Sequence, residues 1–178
     1  MQKVNLLKLK LLLILGLVFF LFAVWYTYPK QVTRTLEGVY FEVGEERSKE
    51  IDKATVFVDG KLKRNFNGTK SFSGTFQVEN LEMLDTTDSY LELNFGKEGW
   101  TTAIFEYKDE DGYIHTNSFI TISINKYFSE VAFTISNENS WNSNDGKLYA
   151  APAKSREVAI NVANRLMKGF LVGKELES

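Results

Sequence analysis

The sequence predicts a mainly β (α+β) protein: an antiparallel sandwich or curled sheet of about seven or eight strands, with one C-terminal amphipathic helix and an N-terminal transmembrane helix. Three observations predict this class. They are a charge-free apolar run near the N-terminus, alternation of apolar and polar residues with period two from Thr35 to Ser136, and helical periodicity near the C-terminus. At 178 residues, with 44% of them hydrophobic, the chain is long enough for one domain with its own core.

The N-terminal apolar run is long enough to cross a membrane. It extends without a charge from Leu11 to Tyr28, and a transmembrane helix needs roughly 20 mostly apolar residues. It ends in Trp25 and Tyr26, which are large rings at the place where signal peptidase requires small side chains. We therefore predict an uncleaved signal-anchor at residues 11–28, in preference to a cleaved signal peptide or a buried core helix.

Basic residues on either side of the run indicate its orientation. Three lysines precede it, against Lys30 and Arg34 just after it, and the more positive end of a first helix normally stays in the cytoplasm. The sequence thus predicts a single-pass protein of the cell membrane, with a cytoplasmic stub at residues 1–10 and an extracytoplasmic β-rich domain at residues 29–178. The absence of cysteine agrees with export and excludes disulfides and thiolate metal sites.

Several segments of the β-rich domain are predicted to be strands with one buried face and one solvent-exposed, wet face. The clearest alternation lies in Phe72–Val78, Leu91–Phe95, Ile120–Ile124 and Val131–Ile135. Asp59-Gly60 and Asp111-Gly112 carry the Asp-Gly chemistry of tight turns, so each pair is predicted to join two strands of a hairpin.

The period changes near the C-terminus, where a helix is predicted at residues 155–168. Its apolar stripe consists of Val158, Ala159, Val162, Ala163, Leu166 and Phe170. Ser155 is a suitable N-cap, Glu157 lies in the first turn where the helix dipole favours negative charge, and Gly169 is a suitable stop. Because an amphipathic helix must bury its stripe, we expect this helix to pack on the sheet.

A last short strand from Lys147 to Ala150 is predicted to precede the helix. The small residues Ala150, Ala151 and Ala153 allow a close crossing of backbone over the sheet, and Pro152 bars any continuation of strand pairing. This C-terminal segment resembles the end of small, uncharacterised, membrane-anchored extracytoplasmic proteins of Gram-positive bacteria. The matching positions are Gly146, Ala151, Pro152, Ala153, Arg156, Glu157, Ala159, Leu166 and Met167. The resemblance implies a location but no activity.

Charge disfavours nucleic acid as a partner. The chain has a net charge of −2, and three of its lysines precede the apolar run, so the body is distinctly acidic. Nucleic-acid binding normally needs a basic stripe. The short basic cluster at Lys61–Arg64 is better interpreted as a solvated strand edge, where lysines discourage pairing with another sheet.

The sequence offers little catalytic chemistry. His115 is the one histidine, and a catalytic zinc site normally takes two or three His or Cys ligands, so we expect no zinc. The sequence contains no nucleophile elbow, no phosphate loop and no dinucleotide fingerprint. We therefore predict no cofactor, no metal and no catalytic residue. Calcium at the acidic turns is disfavoured because the alternating ligand spacing is missing.

The alternative to a binding function is an enzyme. Glycosidases need only two carboxylates, and Asp85 with Asp88, or Asp109 with Asp111, crowd two turns. A carboxylate-based envelope hydrolase is therefore the alternative, although clustered acids in turns are usually only hydrated.

The polar loop from Asn137 to Gly146 is the candidate binding site. Its candidate binding residues are Trp141, Asn139, Asn142, Asn144 and Asp145. Asparagine offers a donor and an acceptor together, and an indole stacks on sugar or apolar surfaces. The leading prediction is thus a non-enzymatic binding or interaction domain of the cell envelope, whose partner is cell-wall polymer or another envelope protein. The competing interpretation is a turn whose tryptophan seals the end of the sheet.

Overall fold

The computed structural model describes residues 2–44, 51–79, 90–108, 114–136, 141–142 and 146–176. For residues 2–7, 104–108, 114–119 and 136 the description covers the backbone alone.

The chain begins with one long helix, α1 (Gln2–Thr27). Its segment Lys8–Thr27 is long and apolar enough to cross a membrane, and none of that segment is buried against the rest of the protein. A helix that is apolar on every face and exposed along its length fits a membrane anchor. The sequence prediction of an apolar N-terminal helix at residues 11–28 is thereby confirmed at the level of the helix.

Eight antiparallel strands follow. They are β1 (Lys30–Glu42), β2 (Asp52–Arg64), β3 (Lys70–Val78), β4 (Tyr90–Phe95), β5 (Trp100–Lys108), β6 (Ile114–Ile124), β7 (Val131–Ser136) and β8 (Lys147–Ala151). In space the order is β4-β3-β2-β1-β8-β7-β6-β5. The two outer strands are joined by the turn at Gly96–Gly99, where the Gly96 N–H donates to the Trp100 carbonyl over 3.0 Å. The sheet is therefore a nearly closed up-and-down barrel, which decides between the predicted sandwich and curled sheet in favour of the curled sheet.

The inside of the barrel is filled by side chains. Its largest fully buried rings are Phe72, Phe76, Phe95, Phe128, Phe133 and Tyr149. Phe133 stacks on Tyr149 with ring centroids 4.6 Å apart, and Phe128 packs on Phe72 at 5.1 Å. An eight-stranded barrel is just wide enough for such filling, so a ligand site has to be sought on the outside.

The predicted hairpin turn at Asp59-Gly60 is wrong. These residues lie within β2, where Gly60 stands opposite Gly74 of β3, and a Cβ on Gly60 would come within 2.8 Å of the Gly74 Cα. The glycine pair thus permits a close approach of two continuous strands. β2 is also paired on both sides, with β1 and β3, so Lys61 and Lys63 are exposed on its outer face and do not mark a sheet edge.

The second helix, α2 (Arg156–Leu166), packs on the outer face of the barrel. It covers Val39 and Phe41 of β1, Ala132 of β7 and Leu148 and Ala150 of β8, and these residues form a second core with it. Both faces of β7 and β8 are therefore buried, so the prediction of one wet face for β7 is wrong. The same prediction is wrong for Ile120–Ile124 in β6, where Thr121 and Ser123 of the other face are buried as well. The sheet encloses its inner apolar face by curling into a barrel, and α2 buries the apolar patch on the outer face of β1, β7 and β8.

The ends and the buried stripe of α2 differ from the prediction in detail. Ser155 is the N-cap and accepts a hydrogen bond from the Val158 N–H, as expected, but the helix ends at Leu166 instead of residue 168. Ile160 is buried, whereas Val158, which the sequence pattern placed in the stripe, is 44% exposed. The buried stripe is therefore rotated relative to the predicted one: Ile160 faces the core formed with β1, β7 and β8, and Val158 faces a groove.

Candidate functional site

Trp141 is half-buried against the helix-covered core. Its indole N–H donates to the Lys147 carbonyl over 3.0 Å, and its ring lies 5.8 Å from that of Phe170, the residue that also contacts Trp100. Gly146 lies directly below the indole, where a Cβ would collide with it. These contacts favour the interpretation in which the tryptophan seals the end of the sheet, while its remaining exposure leaves a recognition role as a prediction.

The other predicted binding residues are only partly placed by the structure. Asn142 is exposed, and its carbonyl accepts a hydrogen bond of 2.8 Å from the Gly146 N–H. Asn139, Asn144 and Asp145 lie outside the described residues.

The residues of the hydrolase alternative also lie outside the described part of the chain, since Asp85, Asp88, Asp109 and Asp111 fall in its gaps. Of His115 only the backbone is described, in β6. Within the described residues no group of three or more His, Asp or Glu side chains is arranged to hold a metal ion.

A different feature appears where β8 ends at the Ala-Pro-Ala step. β8 pairs with β1 from Val39 to Glu42 only. Continuing that ladder would bring Pro152 opposite Glu37, but proline has no N–H to donate. The Ala153 N–H donates to the Glu37 carbonyl instead, over 3.1 Å, and the chain then turns away into α2. The Ala-Pro-Ala step therefore ends the pairing of β8 with β1, as predicted. The last hydrogen bond between the two segments comes from Ala153, one residue after the proline.

The first half of β1 is left with one open edge. The Glu37 carbonyl and the Val43 N–H both bond toward the β8 side, so the odd-numbered residues of β1 direct their backbone groups away from β2. Among the described residues, no strand pairs with Gln31, Thr33 or Thr35 on that side. Their side chains are exposed as well. A row of N–H and C=O groups that lacks a partner strand is a template for another strand.

Polar side-chain contacts lie along this open edge, which the β1–β2 ladder holds in place. The Asp59 carboxylate accepts hydrogen bonds from the Gln31 amide at 3.0 Å and from the Thr33 hydroxyl at 2.8 Å. On the open side, the Arg34 guanidinium donates to the Thr33 carbonyl over 3.1 Å. A charged side chain over an edge carbonyl is a usual protection against indiscriminate strand pairing.

A groove runs alongside the open edge. It has a volume of about 510 Å³ and adjoins a second depression of about 440 Å³ with which it shares Glu37, Ala153 and Lys154. Thr35 and the exposed Val158 of α2 form its walls. The Ala-Pro-Ala step forms part of its floor, so the groove exists because the chain leaves the sheet there.

Buried groups make the strand crossing beside the groove rigid. The Tyr149 hydroxyl contacts two backbone carbonyls, those of Leu36 at 3.1 Å and Ala54 at 3.2 Å, and burial raises the pKa of that phenol well above its usual range. Gly38 leaves the space for this ring, because a Cβ there would come within 2.5 Å of both the Tyr149 hydroxyl and the Ala150 carbonyl. The groove is thus attached to a fixed scaffold.

Sequence reasoning did not find the open edge. Two signals of it were present: the basic residues Lys30 and Arg34 within a strand, and Pro152 directly after a strand of only a few residues. Neither signal says which strand is left unpaired, because that depends on pairing between residues more than 100 positions apart, such as Val39 with Ala150.

No protein-family model, no curated protein and no solved structure matches this chain. The resemblance of its C-terminal segment to membrane-anchored proteins of Gram-positive bacteria accordingly stays a prediction that the residues alone carry.

Proposed function

We propose that this protein is a membrane-anchored, extracytoplasmic interaction domain of the bacterial cell envelope, and that the open edge of β1 binds an extended segment of another envelope protein. The observation that carries the proposal is the unpaired edge at Gln31, Thr33 and Thr35 beside the groove at Pro152. In strand addition, main-chain hydrogen bonds supply affinity, and side-chain pockets supply specificity.

The composition of the groove supports a polypeptide partner. Glu37, Lys53 and Lys154 offer charges of both signs, while Ala153 and Val158 offer apolar contact. Each second residue of an added strand would face this surface. A cell-wall polymer is the less supported partner, since the indole of Trp141 is half-buried and its N–H is already bonded to the protein backbone.

The location follows from the N-terminal segment. Lys3, Lys8 and Lys10 precede the apolar part of α1, and the positive-inside tendency then directs the barrel to the outside of the cytoplasmic membrane. β1 starts three residues after α1 ends. The open edge therefore begins at the membrane surface, within reach of the juxtamembrane segments of other anchored proteins.

The proposal is tested by proline substitution on the open edge. Thr33→Pro removes an N–H that points away from β2, so the β1–β2 ladder is kept while an added strand loses a donor. A photo-crosslinking residue at position 35, in the full chain in its native membrane, should give adducts with an extended segment of an envelope protein. We expect Thr33→Pro to reduce these adducts at least tenfold.

Two controls accompany this variant. Thr33→Ala loses the same hydroxyl but keeps the N–H, so its adducts should equal those of the wild type. The same crosslinker at Thr102, an exposed residue of β5, should give none of them. Adducts that persist in Thr33→Pro would contradict strand addition. If the only adducts are with a second copy of this chain, the edge serves self-association and the proposal of a different envelope protein as partner is wrong.

A further inference from the structure

A small cavity lies at the junction between α1 and the barrel. Its volume is about 100 Å³, well above the roughly 10–15 Å³ that a single water needs. Tyr26 and Tyr28 line it from the end of the helix, and Tyr127 lines it from the loop between β6 and β7. Val32 and Leu62 provide apolar contacts from β1 and β2.

The charged residues that line this cavity are all positive. Lys30, Arg34 and Arg64 line it, and its lining contains no carboxylate. Lys30 lies over the ring of Trp25 at 4.5 Å, and Arg64 lies over the ring of Tyr127 at 4.7 Å. Within the described residues these three cations form no ion pair, so their charge is available to a ligand.

The loop that presents Tyr127 is fixed in an unusual conformation. Phe128 has a φ of 57°, in the left-handed region that a bulky residue seldom adopts, and its ring is fully buried between Phe72 and Phe95. The Asn125 side chain accepts hydrogen bonds from the backbone N–H groups of Tyr127 and Ser129. Tyr127 is thereby turned outward and is 50% exposed. Strain that surrounding contacts maintain is common at functional sites.

Nearby cations make the potential at Tyr127 positive. The Lys126 ammonium lies 5.2 Å from the centre of the Tyr127 ring. The Lys126 and Arg64 side chains beside the ring lower the pKa of the phenol. The Arg64 guanidinium also donates to the Lys126 carbonyl over 2.8 Å, so the two cations are held together.

The position of the cavity decides which anion is relevant. It lies at the C-terminal end of a helix that is apolar up to its last turn, and aromatic residues at such ends lie at the headgroup level of a bilayer. Phe66, which is 62% exposed, stacks on Tyr26 at 5.5 Å and adds another ring at this level. Phosphates of lipid headgroups are the anions present there, and basic pockets beside membrane helices bind them.

We propose that the cavity lined by Lys30, Arg34 and Arg64 binds the headgroup phosphate of an anionic phospholipid and so fixes the barrel on the membrane surface. This inference rests on the membrane insertion of α1, which belongs to the proposed function, but not on a partner strand at β1. Guanidinium groups suit the ligand because they contact phosphate oxygens through two parallel hydrogen bonds.

The test is lipid retention by the full chain in detergent micelles, followed by native mass spectrometry during titration with phosphatidylglycerol or phosphatidylcholine. We expect the wild type to retain one phosphatidylglycerol in preference to phosphatidylcholine. Arg34→Gln should weaken this retention about fivefold, because one cation near a membrane surface contributes roughly that factor. The triple variant Lys30→Gln, Arg34→Gln, Arg64→Gln should weaken it about a hundredfold.

A matched variant removes the same charge elsewhere. Lys97, Lys168 and Lys174 are exposed and line neither the cavity nor the groove, so changing all three to Gln should leave lipid retention unchanged. Because Arg64 also supports a loop, the thermal midpoint of each variant is measured, and Arg34→Gln provides the test if the triple variant unfolds.

Three results would overturn the inference. Equal retention of the two lipids would exclude a headgroup site, as would equal losses in the cavity variant and the matched variant. Displacement of the lipid by millimolar inorganic phosphate would show a site for free phosphate. A failure of the proposed strand addition at β1 can be distinguished from a failure of the lipid site. Thr33→Pro keeps all three cations, so it should leave lipid retention unchanged.

Discussion

Trp141 has contacts typical of a residue that closes the end of a core. Its ring packs beside Phe170, and its N–H reaches the Lys147 carbonyl. The sequence shows an isolated tryptophan among asparagines and serines, which is the composition of a recognition loop as well as of a polar turn. The decision between the two depends on the position of Phe170, a residue 29 positions away that only the folded chain brings close.

Replacing Trp141 with Ala tests the two roles together. We expect a loss of about 2–3 kcal/mol in the free energy of unfolding, less than for a fully buried aromatic ring, with adducts at position 35 unchanged. Denaturant unfolding in micelles and the crosslinking assay measure the two effects. Phe57→Ala, which removes a ring that is 42% exposed, is the control and should cost less. Unchanged stability with loss of the adducts would restore the recognition role.

At the scale of elements, alternation was sufficient to predict which face of most strands is buried. Phe72, Phe76 and Val78 face the interior together, as the sequence indicates. The Asp59-Gly60 pair shows where local rules fail, because its turn chemistry conflicts with the unbroken even-numbered pattern of Val56, Val58 and Leu62. That pattern was the stronger signal, since a core that runs along one face requires a continuous strand.

The packing of α2 yields a prediction with an internal control. Leu166 is 8% exposed in the core between helix and sheet, so Leu166→Asp should cost about 4 kcal/mol through lost apolar contact and a buried, unpaired carboxylate. Val158→Asp on the same helix should change stability by about 1 kcal/mol or less, because this residue faces the groove. Thermal unfolding of the two variants measures the difference. Equal losses would mean that the helix packs with the face predicted from sequence.

At the scale of the whole molecule, the open edge, the groove and the cationic cavity lie along one strand, β1, which begins three residues after α1 ends. The sequence predicted the two parts, an apolar helix and a β-rich body. It did not predict their arrangement, because the contact between Tyr26 and Phe66 joins the end of the helix to a loop 40 residues away.

Membrane topology is tested with single cysteines, since the chain has none of its own. A membrane-impermeant maleimide should label Lys63→Cys, on the exposed face of β2, in intact cells. It should label Gln2→Cys only after permeabilisation, because the positive-inside tendency places that end in the cytoplasm. The protein should also remain in the pellet after carbonate washing. Reversed labelling would invert the orientation, and release from the pellet would contradict the anchor.

The pairing of β1 with β8 has a consequence during synthesis. β1 emerges first and its closing partner emerges last, more than 100 residues later, so the barrel cannot close until nearly the whole chain has been made. Contacts of such sequence separation are intrinsically slow to form. In the meantime the far edge of β1 is uncovered along its whole length. The nascent chain thus passes through a state in which the edge available to another polypeptide includes the residues that β8 later covers, Val39 to Glu42.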